Sequence, residues 1–148
     1  MKKLIIVAAL LLPSLIASCS NNSSDTTVTY DQLEQRDNLL YEINSDMPYT
    51  GLVIQMDTSS NGKTETNYIN GQIQGLKTSW YENGQKESEV NYVDGQPHGL
   101  KTSWYENGQK KSEVNYVDGQ PHGLMHRWFE NGQKNAEVNF VNGQPARE

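Results

Sequence analysis

GLKTSWYENGQKESEVNYVDGQPH, residues 75–98, is the stretch that decides how this chain folds. It returns at 99–122 with one change, Glu87 becoming Lys111, and in a looser form at 123–146. A degenerate copy occupies 51–74, so units of 24 residues begin at Gly51, Gly75, Gly99 and Gly123. A fixed period of this size marks a repeat array, in which each unit is one supersecondary element stacked on the next. Within 75–98, Leu76, Thr78 and Trp80 alternate with Lys77, Ser79 and Tyr81. Beyond Glu82-Asn83-Gly84, Lys86, Ser88, Val90 and Tyr92 alternate with Glu87, Glu89 and Asn91. Period two on both sides of Asn-Gly predicts a β-hairpin.

A two-residue loop would set Trp80 opposite Glu87 and divide the apolar residues between the faces. A three-residue loop, with Gly84 left-handed, sets Trp80 opposite Lys86 and predicts that Leu76, Trp80, Val90 and Tyr92 share one face. The segment 94–99, with two glycines and Pro97, reads as a tight loop between hairpins, because proline cannot donate to a ladder. The expected fold is all-β: an elongated antiparallel meander of about ten strands, each repeat advancing the sheet by about 10 Å.

Upstream of the repeats the chain changes character three times. Residues 1–18 carry Lys2 and Lys3, an apolar run at 4–12 and small residues before Cys19. The run is too short to span a bilayer and reads as a secretory signal. Residues 19–29 follow as a polar, aperiodic tether, about 17 Å long as a coil. Residues 30–50 are not a repeat. Leu39, Tyr41 and Ile43 alternate behind the Asp37-Asn38 turn signal, so 33–43 is expected to form a hairpin capping the array, with a helix over 30–40 as the alternative. Without Lys2 and Lys3, ten basic residues face 18 acidic ones, a net charge near −8. Such a surface does not suit nucleic acid, whose phosphates need a basic patch.

Two resemblances come from these residues. Ile16-Ala17-Ser18-Cys19 resembles the bacterial lipobox, which implies cleavage before Cys19 and acylation of that residue; ordinary secretion with a spare thiol is the other reading. Ser20 after the cysteine implies the outer membrane in a Gram-negative cell. The pattern Tyr92-x-x-Gly95-x-x-His98-Gly99, followed by a strand bearing Trp104, resembles the MORN repeat. The Trp80-Tyr81-Glu82-Asn83-Gly84-Gln85 core is similar to bacterial MORN-repeat-variant proteins, often labelled YwqK-family antitoxins. The resemblance spans 51–146 and the Pro48-Tyr49-Thr50 lead-in. It implies four 24-residue MORN-like repeats without a catalytic centre. The lipoprotein signal departs from a cytoplasmic antitoxin, and Met56 and Asp57 stand in the first repeat where Trp80 and Tyr81 stand in the second.

Chemistry-bearing residues mostly recur, and recurrence points to scaffold. His98 and His122 are one position in successive units, with His126 apart, and units about 10 Å apart keep them from sharing one ion. Glu82, Glu106 and Glu130 each precede an Asn-Gly. No nucleophile motif or phosphate loop stands outside the repeats, so neither an enzyme nor a cofactor is expected. The candidate binding residues are Trp80, Trp104 and Trp128 with their neighbours Tyr81, Tyr105 and Phe129. They read either as the apolar face of a thin sheet or as a stripe of platforms for a partner. Two functions follow: a lipid-anchored envelope scaffold for a protein partner, of antitoxin or immunity type, or a cell-envelope glycan binder using the tryptophans. Glu87 and Lys111 are the one difference between the middle units, so exchanging them is expected to matter only toward a strongly charged partner.

Deletion of residues 99–122 should leave a folded, shorter array, since 75–98 and the unit from Gly123 present nearly the same edges. Deletion of 12 residues should not, because half a hairpin reverses the chain direction. Circular dichroism of the two variants checks this; equal loss of structure would exclude an array.

Overall fold

The computed structural model describes residues 27–146. The signal segment, Cys19 and most of the tether expected at 19–29 lie outside the described residues. The chain opens with β1 (Thr27–Thr29), a 3₁₀ turn at Tyr30–Gln32, β2 (Leu33–Arg36) and β3 (Leu39–Glu42). Eight longer strands follow: β4 (Gly51–Met56), β5 (Lys63–Ile69), β6 (Gln72–Trp80), β7 (Lys86–Val93), β8 (Gln96–Trp104), β9 (Lys110–Val117), β10 (Gln120–Trp128) and β11 (Lys134–Val141). A two-residue strand, β12 (Gln144–Pro145), closes the series. The 10-stranded sheet runs β1-β4-β5-β6-β7-β8-β9-β10-β11-β12, an antiparallel meander of hairpins apart from the parallel β1–β4 pair. The fold is the all-β meander that the repeat period implies.

The main sheet has ten strands, but not the ten first expected. The amino-terminal hairpin β2–β3 forms its own two-stranded sheet. The edge of β4 is covered instead by β1, which the polar sequence at 27–29 had placed in the tether. No helix forms over 30–40. Asp37 and Asn38 both take positive φ, 48° and 64°, the turn a two-residue hairpin needs. Leu33 and Leu40 of that hairpin bury against Tyr49 and Val53, with Val28 and Tyr68 packed around them. Burial of so few side chains is enough because the cap is also tied by backbone bonds, Leu40 N to Gly71 O (2.9 Å), Tyr49 N to Leu40 O (2.8 Å) and Gly71 N to Tyr49 O (2.8 Å).

Each regular hairpin has a tip and each junction a turn, and both follow from local chemistry. At the tip, Gly84 N donates to Tyr81 O (3.0 Å) and Tyr81 N to Gln85 O (2.9 Å). Glu82-Asn83-Gly84 is thus the three-residue loop, with Gly84 at φ 80° and Trp80 opposite Lys86. The junction is shorter than the six-residue loop expected at 94–99. Asp94 (φ 50°) and Gly95 (φ 75°) alone make the turn, and β8 restarts at Gln96. Pro97 therefore lies within a strand. It pairs with Tyr92 and its carbonyl accepts from Gly119 N at 3.2 Å, so no ladder bond asks for the missing N–H.

The expected face assignment fails one residue beyond the tip. Ser79 pairs with Ser88 rather than Glu87, leaving Glu87 as the extra residue of a bulge. Lys111 and Asn135 are the extra residues in the next two hairpins. A one-residue slip moves every later side chain to the other face. Leu76 pairs with Asn91 and Lys77 with Val90, so Trp80 and Leu76 lie on one face, Val90 and Tyr92 on the opposite one. On the latter, here the tyrosine face, Val53, Val90 and Val114 are buried. Tyr92 there bridges Gly75 of β6 and Pro97 of β8, and Tyr68, Tyr116 and Phe140 repeat the arrangement. The first hairpin has no bulge: Met56 pairs directly with Lys63.

Gly71 is the glycine the cap cannot replace. It sits at φ 78°, and a Cβ there would stand 2.9 Å from Leu39 Cβ and from Leu40 N and O. Gly99 has φ 76° but open space around it. Gly71→Ala should therefore cost about 3 kcal/mol or more, through both strain and overpacking, and Gly99→Ala about 1–2 kcal/mol through strain alone. Urea denaturation of the two variants checks the order.

Candidate binding surface

The six aromatic residues singled out in the sequence are brought to the tip edge of the sheet, but they divide into two kinds of work. Trp80, Trp104 and Trp128 are half-buried, and each lies under a lysine from the preceding hairpin. Lys63 Nζ stands 4.4 Å from the Trp80 ring centroid, Lys86 5.8 Å from Trp104 and Lys110 5.4 Å from Trp128. The lysines are held in turn by carboxylates on the same face, Lys63 by Glu65 at 2.9 Å, Lys86 by Glu89 at 2.5 Å and Lys110 by Glu113 at 3.2 Å. Each exposed cation–π contact contributes about 0.5–1 kcal/mol. The stripe is a ladder of alternating Lys and Trp rather than a row of bare rings.

Tyr81 and Tyr105 act between repeats. Tyr81 Oη donates to Trp104 O at 2.7 Å, and Tyr105 Oη to Trp128 O at 2.8 Å. Asn83 and Asn107 do the same two residues further out, their Nδ2 atoms donating to Glu106 O (2.9 Å) and Glu130 O (3.0 Å). Phe129, in the last regular hairpin, has no hydroxyl and is 49% exposed. In the first hairpin Asp57 has a different task. Its carboxylate accepts Ser59 N (2.7 Å) and Ser60 N (3.2 Å), which folds the loop and holds its pKa below the usual carboxylate range.

Burial raises the Tyr81 phenol above its ordinary value, and the charges of Glu87, Glu106 and Glu130 push the same way. Burial likewise raises Tyr49, Tyr68 and Tyr92. At the far end, a hydrogen bond from Lys134, assisted by the charges of Lys134 and His126, lowers Glu137. His126 Nδ1 lies 3.1 Å from that carboxylate. His98 and His122 are exposed and pair with Asn91 and Asn115 in the ladder. Among the described residues no group of three His, Cys, Asp or Glu side chains could hold a metal ion.

The exposed apolar surface lies elsewhere on the tryptophan face, in its turn half. Leu76, Leu100 and Leu124 are 46%, 54% and 51% exposed. By alternation along β5, β7, β9 and β11, Ile69, Val93, Val117 and Val141 share this face, and all four are exposed. Placing Leu76 on one face with Val90 and Tyr92 hid these rows. The signal was available: each leucine follows a glycine, and each valine precedes an Asp-Gly or Asn-Gly turn.

The repeat geometry is matched in sequence by a known family. Residues 73–94, 97–118 and 121–142 each match the MORN repeat variant. The three matched stretches coincide with the hairpins β6–β7, β8–β9 and β10–β11, and each ends at the turn residue Asp94, Asp118 or Asn142. The unit at 51–74, which lacks the bulge, is not among the matched stretches. No curated protein matches the chain significantly. A surface built of such repeats is that of a repeat scaffold: one small set of contacts presented again at each unit.

A phenol whose folded pKa is raised contributes stability that is complete below its unfolded pKa and is lost as pH rises through the folded value. Stability should therefore hold up to pH about 10 and fall above it. Tyr92→Phe should flatten that fall. Tyr81→Phe should flatten it too but cost about 1 kcal/mol at neutral pH, because Trp104 O loses its donor. Denaturant midpoints between neutral and alkaline pH check both.

Proposed function

We propose that this protein is a lipid-anchored scaffold of the bacterial envelope that binds a protein partner without catalysing a reaction, in an antitoxin or immunity-type role related to that of YwqK-family proteins. The observation that carries the reading is the pair of exposed apolar rows, Leu76-Leu100-Leu124 and Ile69-Val93-Val117-Val141, on one face of an array with MORN repeats. Contiguous exposed apolar surface marks interaction sites. Repetition lets one long partner engage several units, each adding modest affinity. The glycan alternative requires open aromatic faces, and the lysine over each tryptophan counts against it. The anchor rests on Ile16–Cys19: acylation at Cys19 would hold the array at the membrane, and a negative surface would keep its body off anionic headgroups.

The test is a pull-down from detergent-solubilised envelope with the acylated chain as bait. One stoichiometric protein should be retained by wild type and lost on Leu76→Ser, Leu100→Ser and Leu124→Ser combined, with each change moving stability by about 0.5 kcal/mol or less. Trp104→Ala should instead destabilise by about 2 kcal/mol, below the cost at a fully buried site. Intact mass of the bait should exceed that of 19–148 by its acyl groups and lose them in Cys19→Ala. Retention on purified sacculus in place of a protein would favour the glycan reading, and a soluble wild-type protein would exclude the anchor.

A further inference from the structure

At the bulge the two nearly identical hairpins differ in charge, Glu87 in β7 against Lys111 in β9, and the looser third has Asn135 in β11. In the second MORN repeat the lysine is used internally. Lys111 Nζ stands 5.4 Å from the centroid of Tyr105, so that repeat carries its own ammonium on the aromatic ring. In the first, the glutamate replaces that ammonium. At the same place is a hollow of about 350 Å³, lined by Trp80, Tyr81, Glu82, Glu87 and Glu106. The Tyr81 ring is fixed there because its hydroxyl is bound to Trp104 O.

We propose that this hollow binds an organic cation, the lysine or arginine side chain of a partner protein, in the position that Lys111 takes over Tyr105. The face of the Tyr81 ring attracts a cation through its quadrupole, and the carboxylates add charge. Among the described residues neither Glu87 nor Glu106 is in an ion pair, whereas Glu65, Glu89 and Glu113 each have a lysine. Glu82 keeps one oxygen on Asn61 Nδ2 at 3.1 Å. Lys63, over the Trp80 ring, is held by Glu65. The hollow therefore presents Glu87 and Glu106, neither in an ion pair, beside the Tyr81 ring. A bulge places the side chain that decides this, since it leaves that residue outside the ladder and free to change without disturbing the register.

The assignment rests on the scaffold reading only for what delivers the cation; the hollow itself can be tested with small probes. Amide and indole NMR shifts should be followed on the full chain during titration with Nα-acetyl-lysine methylamide, its arginine analogue and the neutral glutamine analogue. The two cationic probes should give saturable shifts at Tyr81, Glu87 and the Trp80 indole, and the glutamine probe none. Glu87→Lys should weaken binding at least about tenfold, the factor that corresponds to 1.4 kcal/mol. Lys111→Glu should open a second site, with new shifts at Tyr105. Both variants keep the fold, because each carries a residue already present at that position in the adjacent repeat; unchanged circular dichroism verifies it. No saturable response in wild type, equal binding by the glutamine probe or by Glu87→Lys, or silence at Tyr105 in Lys111→Glu would overturn the proposal. Tri-lysine peptide and spermidine, equal in charge, separate the sources: tighter binding of spermidine would overturn the side-chain assignment. Cation binding with a failed pull-down would leave the hollow standing and remove the scaffold reading.

Discussion

A sheet one layer thick has no second layer to bury it, so every stabilising contact must come from a strand's immediate neighbours. That constraint explains why the same few interactions are repeated so closely. Val90 and Val114 are buried on the tyrosine face, Thr78 and Thr102 on the tryptophan face, and no large side chain among the described residues is fully enclosed. What a core would supply is supplied by bolts between repeats. At the tips Tyr81 and Asn83 reach the next hairpin's carbonyls, and at the turns Gly95 N donates to Ile73 O at 3.0 Å. Asp94 N adds a bond to Gln74 Oε1 at 2.8 Å. Stability in such an array is close to a sum of unit and neighbour terms, and its loss at one joint is local.

The two ends of the array solve different problems. At the amino-terminal end an unpaired β4 would be a template for any passing strand. Parallel β1 covers it, and the hairpin β2–β3 buries Leu33 and Leu40 over its tyrosine face. The first hairpin has Met56 where the later ones have a tryptophan, and no preceding hairpin supplies a lysine to cover a ring there. Asp57 uses its carboxylate to fold the loop, and Gly62 leaves room for the Trp80 carbonyl, which a Cβ would approach to 2.8 Å. Toward the other end Phe129 keeps the ring of Tyr81 and Tyr105 but not the hydroxyl. Substitutions that look like decay of the repeat are thus adjustments to position in the array.

In a repeat scaffold, residues identical in every unit either form a surface repeated along the array or stack one unit on the next, and departures from the repeat make one place unlike the others. The tryptophans and tyrosines are of the second sort: a lysine covers each tryptophan ring, and two of the tyrosine hydroxyls are bound to the next repeat. The leucine and valine rows are exposed in every unit and form the broad surface. The bulge position alone changes sign, from Glu87 to Lys111 to neutral Asn135, and so can make one place on that array unlike the others.

Period, hairpins, tip loops and the all-β meander were legible in the sequence because they rest on local chemistry. Asn-Gly and Asp-Gly supply positive φ wherever they occur, and alternation at period two needs no partner to be read. The pairing of Trp80 with Lys86 was legible for the same reason. What lay beyond reach was the bulge at Glu87. It depends on how β7 pairs with both β6 and β8 at once, and a single extra residue there sends Val90 and Tyr92 to the face opposite Leu76 and Trp80. The buried valine row and its separation from the exposed leucines follow from that slip. The pairing of β1 with β4 escaped for a related reason: Thr27–Thr29 has no pattern of its own and becomes a strand only because an open edge stands beside it. Local sequence determined the units and their number; only the tertiary pairing decided which side of each unit faces the core, because side-chain direction along a strand is set by register with its neighbours.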